Sequence, residues 1–390
     1  MTAQVAIAAV SEMKPGRYPE MDGHALYVEV VRQFLAEWSV KPADIQGILA
    51  CPSGMAGGGR TDIFVHEQLY EELGIHPLYG DTMNAGGATY GYMVQRAATA
   101  IRQGLTDSVL CVGAGKFPKV GAGGAELMAR MVSHEAFEFP YGTFIPAIYA
   151  QVASRHMHEF GSTAEQLAEV AVSSREWALR NPQSATYGSE PLTVARVRES
   201  RPIATPFHLY DCSIPLEGGA AVLVTSEQVA RRISPQPAWL LGMGEYHSHR
   251  NIHQAADLLD IGCGRAGRMA YERAGLSAAD MQFAQIYDAF SVNPLVFAEE
   301  LGLCPRGKGG ELFASGATRP GGDLPINTYG GLLSFGHTGD ASGMSMIVEG
   351  ARQVMGIAGD RQLTRAEIGV VHSYGGMMSE HSTLILGRQP

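Results

Sequence analysis

The amino-acid sequence predicts an α/β fold in which a mostly parallel β-sheet is covered by helices. Strand-like apolar runs alternate along the chain with segments that carry apolar side chains at helical spacing. Two glycine-rich loops, at 84–89 and 336–341, each open a helix, as a duplicated half-domain would. The 390 residues are 45% hydrophobic and 17% charged, so the chain can bury a large core.

The first half of the chain alternates strands and helices in a regular order. Residues 5–10 predict the first strand, and residues 23–39 predict the first helix. Residues 45–51 form an apolar run that predicts a buried strand. Residues 88–103 predict a helix that ends before a glycine, and the apolar run at 108–114 predicts the next strand. This βαβ rhythm is typical of a parallel sheet.

Residues 117–206 differ from the rest because they are rich in Met, aromatic, Arg and His side chains. We predict a long insertion that lies over the main sheet. Within it, Ser162 and Glu165 have the spacing of a capping box, which predicts the start of a helix. The apolar run at 215–224 then returns as a strand and closes the first half.

The second half restarts near residue 235 and repeats the same organisation. It contains predicted strands at 282–286 and 368–372 and predicted helices at 294–301 and 341–354. We therefore divide the chain into an N-terminal half, 1–230, which carries the insertion, and a C-terminal half, 231–390.

Composition excludes several classes of function. The formal net charge is -10, so the basic surface expected of a nucleic-acid-binding protein is missing. No apolar run is long enough to span a bilayer, and the N-terminus lacks a basic signal region, so we expect a cytoplasmic protein. The five cysteines form no C-x-x-C pair. His247, His249 and His253 fit no single helix face, so we expect no metal site.

Four stretches carry a specific pattern, in a fixed order over nearly the whole chain. Together they resemble the thiolase superfamily, in particular its sterol-carrier-type and lipid-transfer-like branch. The stretches are 287–290 (YDAF), 325–339 (PINTYGGLLSFGHTG), 372–376 (HSYGG) and the loop and helix at 84–104.

The resemblance implies a five-layer αβαβα fold built of two similar halves, with a loop domain at about 117–206. It implies an acyl-CoA thioester as substrate, with coenzyme A as part of that substrate and no bound cofactor. It also implies a homodimer, and for this branch a small zinc-ribbon/OB-fold partner protein.

The same resemblance assigns roles to individual residues. His337 would bind the thioester oxygen, His372 would act as acid and base, and Tyr287 would supply a polar group to the oxyanion site. Asp288 more readily caps the next helix or orients a neighbour. The backbone of the remaining motif residues would complete the oxyanion site; these are Tyr374, Gly375 and Gly376.

A purely structural role is the alternative for some of these residues. His372 ends a buried strand, where a hydrogen-bonded core histidine is common. Tyr287 can equally be a strand-end aromatic residue. Tyr90 and Tyr329 lie near the predicted site along the chain, where either can simply pack in the core.

The chain departs from the family at the position of the nucleophile. The family's nucleophilic cysteine begins the helix at 88–103, and the matching residue here is Gly87, which cannot form an acyl-enzyme. We therefore predict retro-aldol cleavage of a bulky β-hydroxyacyl-CoA, in which oxyanion donors hold an enolate. The alternatives are an acyltransferase with a substituted nucleophile and a non-catalytic subunit that binds acyl-CoA or lipid.

Overall fold

The computed structural model of the chain describes residues 4–52, 64–116, 124–142 and 144–390. Nine strands form one sheet in the order β3-β2-β4-β7-β1-β8-β11-β10-β9, and β5 and β6 form a separate hairpin. The strands are β1 Val5–Glu12, β2 Gly47–Ala50, β3 Tyr79–Thr82, β4 Ser108–Lys116, β5 Pro202–Ala204, β6 Phe207–His208, β7 Glu217–Ser226, β8 Ala238–His247, β9 Phe283–Ile286, β10 Ile368–Gly375 and β11 Glu380–Gly387.

The large sheet is mixed, so the prediction of a mostly parallel sheet is wrong. Strand β2 runs parallel to β3 and β4, and β9 runs parallel to β10. The strands in the middle pair antiparallel: β4 with β7, β7 with β1, β1 with β8, β8 with β11 and β11 with β10. Strands β1 and β7 are buried on both faces, and such strands lack the alternation that marks an antiparallel strand with one wet face.

The described part of the chain contains twelve α-helices, which pack on the sheet. They are α1 Gly23–Trp38, α2 Val65–Leu73, α3 Thr89–Arg102, α4 Gly124–Val132, α5 Ile145–Phe160, α6 Ala164–Ala178, α7 Val194–Glu199, α8 Glu227–Ile233, α9 Cys263–Ala274, α10 Val292–Glu300, α11 Gly309–Ala314 and α12 Ser342–Met355.

Contacts between these elements define five layers, which are three layers of helices with strands between them. Helices α1 and α2 pack on β1, β2, β4 and β7, and form one outer layer. Helices α9 and α10 pack on β8, β9 and β11, and form the other. Helices α3 and α12 touch each other and contact strands of both halves, so they lie in the middle. This is the thiolase fold that the motifs predicted.

The segment between β4 and β7 contains helices α4 to α7 and the β5–β6 hairpin. It lies against the second half of the chain, because α6 packs on α11 and on the π-helical turn Gly331–Phe335, and α5 packs on α10. Residues 117–123 and 143 of the predicted insertion lie outside the described residues. The predicted capping box is displaced by one residue: Thr163 accepts from the amide of Gln166, and the Gln166 side chain accepts from the amide of Thr163.

Four elements of the second half were not predicted from the sequence: β8, α9, α11 and β11. Strand β8 carries alternating glycines, and a Cβ at Gly242 or Gly244 would overlap the backbone of α9. The sequence pattern of a strand is therefore weak here, although the close approach of α9 depends on it. Within the described residues, no helix combines the length and the apolar character that a bilayer crossing needs.

Candidate active site

The phenol of Tyr287 lies where the two middle helices begin. Tyr287 directly follows β9, and its amide donates to the carbonyl of His372 at 3.1 Å. Its hydroxyl hydrogen-bonds Nε2 of His337 at 3.1 Å and Oγ of Ser342, the first residue of α12, at 2.9 Å. Gly87 lies two residues before the start of α3 and touches the same ring. Both helix N-termini carry partial positive charge, which stabilises negative charge that develops beside Tyr287.

The ring of Tyr287 occupies the space into which a side chain at position 87 would project. A Cβ on Gly87 would lie 2.5 Å from the carbonyl oxygen of Tyr374 and 2.8 Å from Cζ of Tyr287, and still closer to its Cε2. No side chain fits at position 87 unless the phenol moves. The phenol of Tyr287 therefore lies at the place where the resemblance predicts the family's sulfur.

Two glycine loops meet next to this ring. Gly86 has a positive φ of 60°, and a Cβ on it would lie 3.1 Å from Cα of Gly375 and 3.2 Å from the nitrogen of Gly376. A Cβ on Gly375 would overlap the carbonyl of Ala85. The structure thus brings the loop of Gly86 and Gly87 against the predicted backbone residues Gly375 and Gly376, and the approach of Gly86 to Gly375 requires glycine on both sides.

His337 is fixed through its backbone and stays neutral. Its amide donates to the carbonyl of Ile214, and its own carbonyl accepts from the amide of Leu216, both at 2.8 Å. The half-buried side chain turns from this strand-like pairing toward Tyr287. Desolvation lowers the pKa of His337 to about 4, so the imidazole is uncharged at neutral pH. A neutral imidazole can accept a proton from the phenol or donate a hydrogen bond to an oxyanion.

Asp288 holds the loop that leads to His337. Its Oδ1 accepts from the amide of Leu332 at 2.7 Å, and its Oδ2 lies 3.5 Å from the amide of Leu333. Gly331 lies so close that a Cβ there would overlap the carboxyl group. Burial raises the pKa of Asp288 to about 8, against the opposing effect of these amide hydrogen bonds. The side chain is fully buried and its oxygens face the loop amides, which favours the prediction that Asp288 orients a neighbour.

The ring of His372 makes its hydrogen bonds in the core and not with Tyr287, a geometry that disfavours its predicted acid-base role. Its Nδ1 lies 2.8 Å from the hydroxyl of Thr383, and its Nε2 lies 3.4 Å from Nδ1 of His381. His381 in turn reaches the carbonyl of Ile261 with Nε2 at 3.1 Å. His372 is completely buried, and desolvation holds its pKa well below the usual value. Both ring nitrogens are engaged in the core, so no nitrogen is left for substrate.

Tyr374 contributes a packed ring beside its backbone. The ring lies 4.7 Å from that of Tyr287 and 5.1 Å from that of Phe297, and its hydroxyl donates to Oδ1 of Asn293 at 3.3 Å. Tyr149 of α5 packs 6.2 Å from it. The ring of Tyr374 therefore packs between that of Tyr287 and those of Phe297 and Tyr149.

Burial and desolvation disfavour the five thiols as a substitute nucleophile. Cys51, Cys111 and Cys263 are buried. Desolvation raises the pKa of Cys212 and of Cys304 to about 12, and holds that of Cys111 and of Cys263 above the usual value. A protonated thiol is a poor nucleophile. Among the described residues, no three His, Cys, Asp or Glu side chains converge as metal ligands would.

Ser342 is the site residue that the sequence did not single out. Its hydroxyl donates to the carbonyl of Gly339 at 2.7 Å and lies 2.9 Å from the hydroxyl of Tyr287. The phenol has one proton, which it can share with Oγ of Ser342 or with Nε2 of His337, one at a time. The sequence did contain a signal for it, namely a small polar residue at the first position of a helix that is otherwise almost entirely buried.

The layered fold, with this cluster between its two halves, defines a thiolase-fold protein. The family described as Thiolase C-terminal domain-like matches residues 244–388. Acetyl-CoA acetyltransferase from Methanothermobacter thermautotrophicus is 30% identical over 378 residues, which are 95% of this chain and 96% of that protein. The 17-hydroxy-3-oxo-4-pregnene-20-carboxyl-CoA lyase from Mycobacterium tuberculosis is 30% identical over 370 residues, covering 91% and 92%.

A solved structure extends this similarity to the fold. The Ltp2-ChsH2(DUF35) aldolase superposes with a TM-score of 0.85 at 28% identity, covering 99% of this chain and 98% of that one. The chain therefore belongs to the thiolase superfamily, in its sterol-carrier-type branch.

Proposed function

We propose that this protein cleaves a carbon–carbon bond of a bulky β-hydroxyacyl-CoA by a retro-aldol reaction that forms no acyl-enzyme. The observation that carries the proposal is the phenol of Tyr287, which fills the space beside Gly87 and hydrogen-bonds His337. A site with a phenol and a neutral imidazole in place of a thiol is suited to proton transfer and lacks a group that could form a thioester.

The proposed reaction moves one proton and one pair of bonding electrons. The Tyr287–His337 pair takes the proton of the β-hydroxyl group. The Cα–Cβ bond then breaks, the β-carbon leaves as a ketone or aldehyde, and the bonding electrons form the enolate of the shorter acyl-CoA. The same pair returns the proton to Cα. Negative charge on the enolate oxygen would be stabilised by the N-terminus of α3 and by the backbone at Gly375 and Gly376.

Relatives support this proposal and also one alternative. A lyase and an aldolase are among the proteins that the chain resembles over at least nine-tenths of its length. The acetyl-CoA acetyltransferase is as similar in identity, so an acyl transfer with a substituted nucleophile is the second candidate. Gly87 disfavours it, because neither Tyr287 nor a thiol with a raised pKa matches the reactivity of the family's cysteine.

A partner protein is part of the proposal. The name of the similar aldolase structure joins Ltp2 with ChsH2(DUF35), which supports the expectation of a small zinc-ribbon/OB-fold partner for this chain. The homodimer stays a prediction from the family resemblance. Activity should therefore be measured both with the chain alone and with such a partner added.

The test is a panel of β-hydroxyacyl-CoA thioesters with secondary and tertiary β-carbons, analysed for a carbonyl product and a shorter acyl-CoA. We expect cleavage by the wild type, and a loss of about a hundredfold or more in Tyr287→Phe. Tyr271→Phe is the matched control, because it also removes one buried hydroxyl, which donates to the carbonyl of Leu301 away from the site. Thiolysis of a β-ketoacyl-CoA without any cleavage of the panel would favour the acyltransferase instead.

A further inference from the structure

Thr89, the first residue of α3, holds the loop that precedes this helix. Its hydroxyl accepts a hydrogen bond from the amide of Ala85 at 2.7 Å and donates one to the carbonyl of Gly86 at 2.6 Å. The amide of Thr89 donates to the same carbonyl at 3.1 Å. The residue is completely buried, so the loss of its hydroxyl would leave a buried amide without its acceptor. Three hydrogen bonds thus tie Thr89 to the loop.

The exposed end of the same loop is fixed by a second side chain. Oδ1 of Asn84 accepts a hydrogen bond from the amide of Gly86 at 2.8 Å. Gly86 itself adopts a positive φ of 60°, which glycine tolerates without strain. The amides of Ala85 and Gly86 are therefore both bound by side chains, so the conformation of the loop is set before α3 begins.

The loop contacts three of the elements that build the proposed enolate site. Gly87 touches the ring of Tyr287, and a Cβ on Gly343, in the first turn of α12, would overlap the carbonyl oxygen of Gly87. A Cβ on Gly86 would lie 3.1 Å from Cα of Gly375, at the end of β10. A small shift of the loop would therefore change the position of the α3 N-terminus relative to both the phenol and Gly375.

We propose that Thr89 is a positioning residue for the enolate chemistry at Tyr287. Its hydroxyl fixes the loop at 85–87, so that Gly87 and the N-terminus of α3 keep one position beside the phenol while the enolate forms. The inference rests on the proposed function, in which that N-terminus stabilises negative charge on the enolate oxygen. The hydroxyl acts through the loop, because it already donates to one backbone group and accepts from another.

A purely structural role for Thr89 makes a different prediction. Removal of the hydroxyl should lower stability in either case, because the amide of Ala85 loses its acceptor. A positioning role also lowers the turnover of folded protein at saturating substrate, and it weakens the stabilisation of a bound enolate. These two quantities, measured on folded protein, therefore separate the two roles.

The test compares Thr89→Val, which lacks the hydroxyl, with Thr89→Ser, which keeps it. One assay is cleavage of a β-hydroxyacyl-CoA. The other is the ultraviolet absorbance of the enolate of bound acetoacetyl-CoA, without free coenzyme A, which requires no cleavage of a carbon–carbon bond. We expect Thr89→Val to lower kcat about tenfold or more, with KM within about twofold, and to lower the enolate absorbance. Thr89→Ser should stay within about twofold of the wild type in both assays.

Thr99→Val is the matched control, because Thr99 lies on the same helix and its hydroxyl donates to the carbonyl of Gln95 at 2.8 Å. This bond lies within the helix and does not involve the loop, so turnover and enolate absorbance should equal those of the wild type. Asn84→Ala is the second variant, since it removes the acceptor of the Gly86 amide at an exposed residue. It should lower kcat about threefold or more, and it tests the loop even if Thr89→Val does not fold.

The outcomes separate the positioning role from the proposed function. Wild-type turnover and enolate absorbance in folded Thr89→Val, or equal losses in Thr89→Val and Thr89→Ser, overturn the role. If Thr89→Val does not fold, wild-type enolate absorbance in Asn84→Ala overturns it. Bound acetoacetyl-CoA that shows no enolate in the wild type overturns it as well. A loss of enolate absorbance in Thr89→Val that Thr89→Ser does not share supports the role even if no substrate of the panel is cleaved, and in that case the retro-aldol proposal fails.

Discussion

Replacement of Gly87 by alanine tests the packing on which the site depends. The new Cβ would lie 2.5 Å from the carbonyl oxygen of Tyr374 and 2.8 Å from Cζ of Tyr287, where ordinary contacts need more than 3 Å. The backbone here has no positive φ, so the cost comes from overpacking alone. Overpacking of this kind typically costs about 1–3 kcal/mol in the free energy of unfolding.

The same substitution should damage activity more than stability. The phenol must move by nearly 1 Å to accept the methyl group, and its hydrogen bonds to His337 and Ser342, at 3.1 and 2.9 Å, would break. A displacement of about 1 Å in a reacting group can reduce the rate about a hundredfold. The assays are urea unfolding and the cleavage rate at saturating substrate.

A matched glycine provides the control. Gly16 also has no positive φ, and a Cβ there would meet Tyr18 at an ordinary 3.4 Å. We expect Gly16→Ala to change neither stability nor rate noticeably. If Gly87→Ala cleaves substrate at the wild-type rate and unfolds at the same urea concentration, Tyr287 does not occupy the space beside position 87, and the structural basis of the site is refuted.

Further substitutions separate residues that react from residues that hold the fold. Asp288→Asn should keep most activity, because the side-chain carbonyl can still accept from the amide of Leu332. Asp288→Ala leaves that amide unpaired and should lower the free energy of unfolding by about 1–3 kcal/mol. Equal loss of activity in both variants would point to a carboxylate that reacts. His372→Gln should lower stability in urea but leave the cleavage rate within about threefold of the wild type. His337→Gln should lower the cleavage rate about a hundredfold. A larger loss of rate in His372→Gln than in His337→Gln would show that His372 acts in the site. Burial lowers the pKa of His381 from 6.5 to about 3. The neutral ring therefore contributes fully to stability above pH 6.5, and this contribution is lost as the pH falls from 6.5 toward 3, because the unfolded chain binds a proton there and the folded chain does not. Between pH 6.5 and 4 the wild type should lose about 1.4 kcal/mol per pH unit more than His381→Gln, and parallel unfolding curves would contradict this.

Much of the fold could be predicted from the sequence because local pattern and family motifs agree. The run that became β4 and the helix that became α3 are nearly where periodicity put them. Strand direction was not predictable, because strands such as β7 are buried on both faces and carry no alternation. Strand β8 was hidden because its glycines serve the approach of α9 and weaken the strand pattern.

The site was predictable in part of its membership but not in its geometry. Tyr287 and His337 follow motifs, and the structure joins them. Sequence spacing places His372 at the end of a strand, but the direction of its ring depends on Thr383 and His381, which come from β11. The contact between Tyr287 and Gly87 joins two loops from different halves of the chain, so no local pattern could reveal it.

The most direct test follows one reaction by two mass measurements. The protein is mixed with a β-hydroxyacyl-CoA that it turns over, and both the small products and the intact chain are weighed at short times. We expect a ketone or aldehyde and a shorter acyl-CoA in equal amounts, with the mass of the chain unchanged. A chain that gains the mass of an acyl group, at a cysteine or at Tyr287, would contradict it.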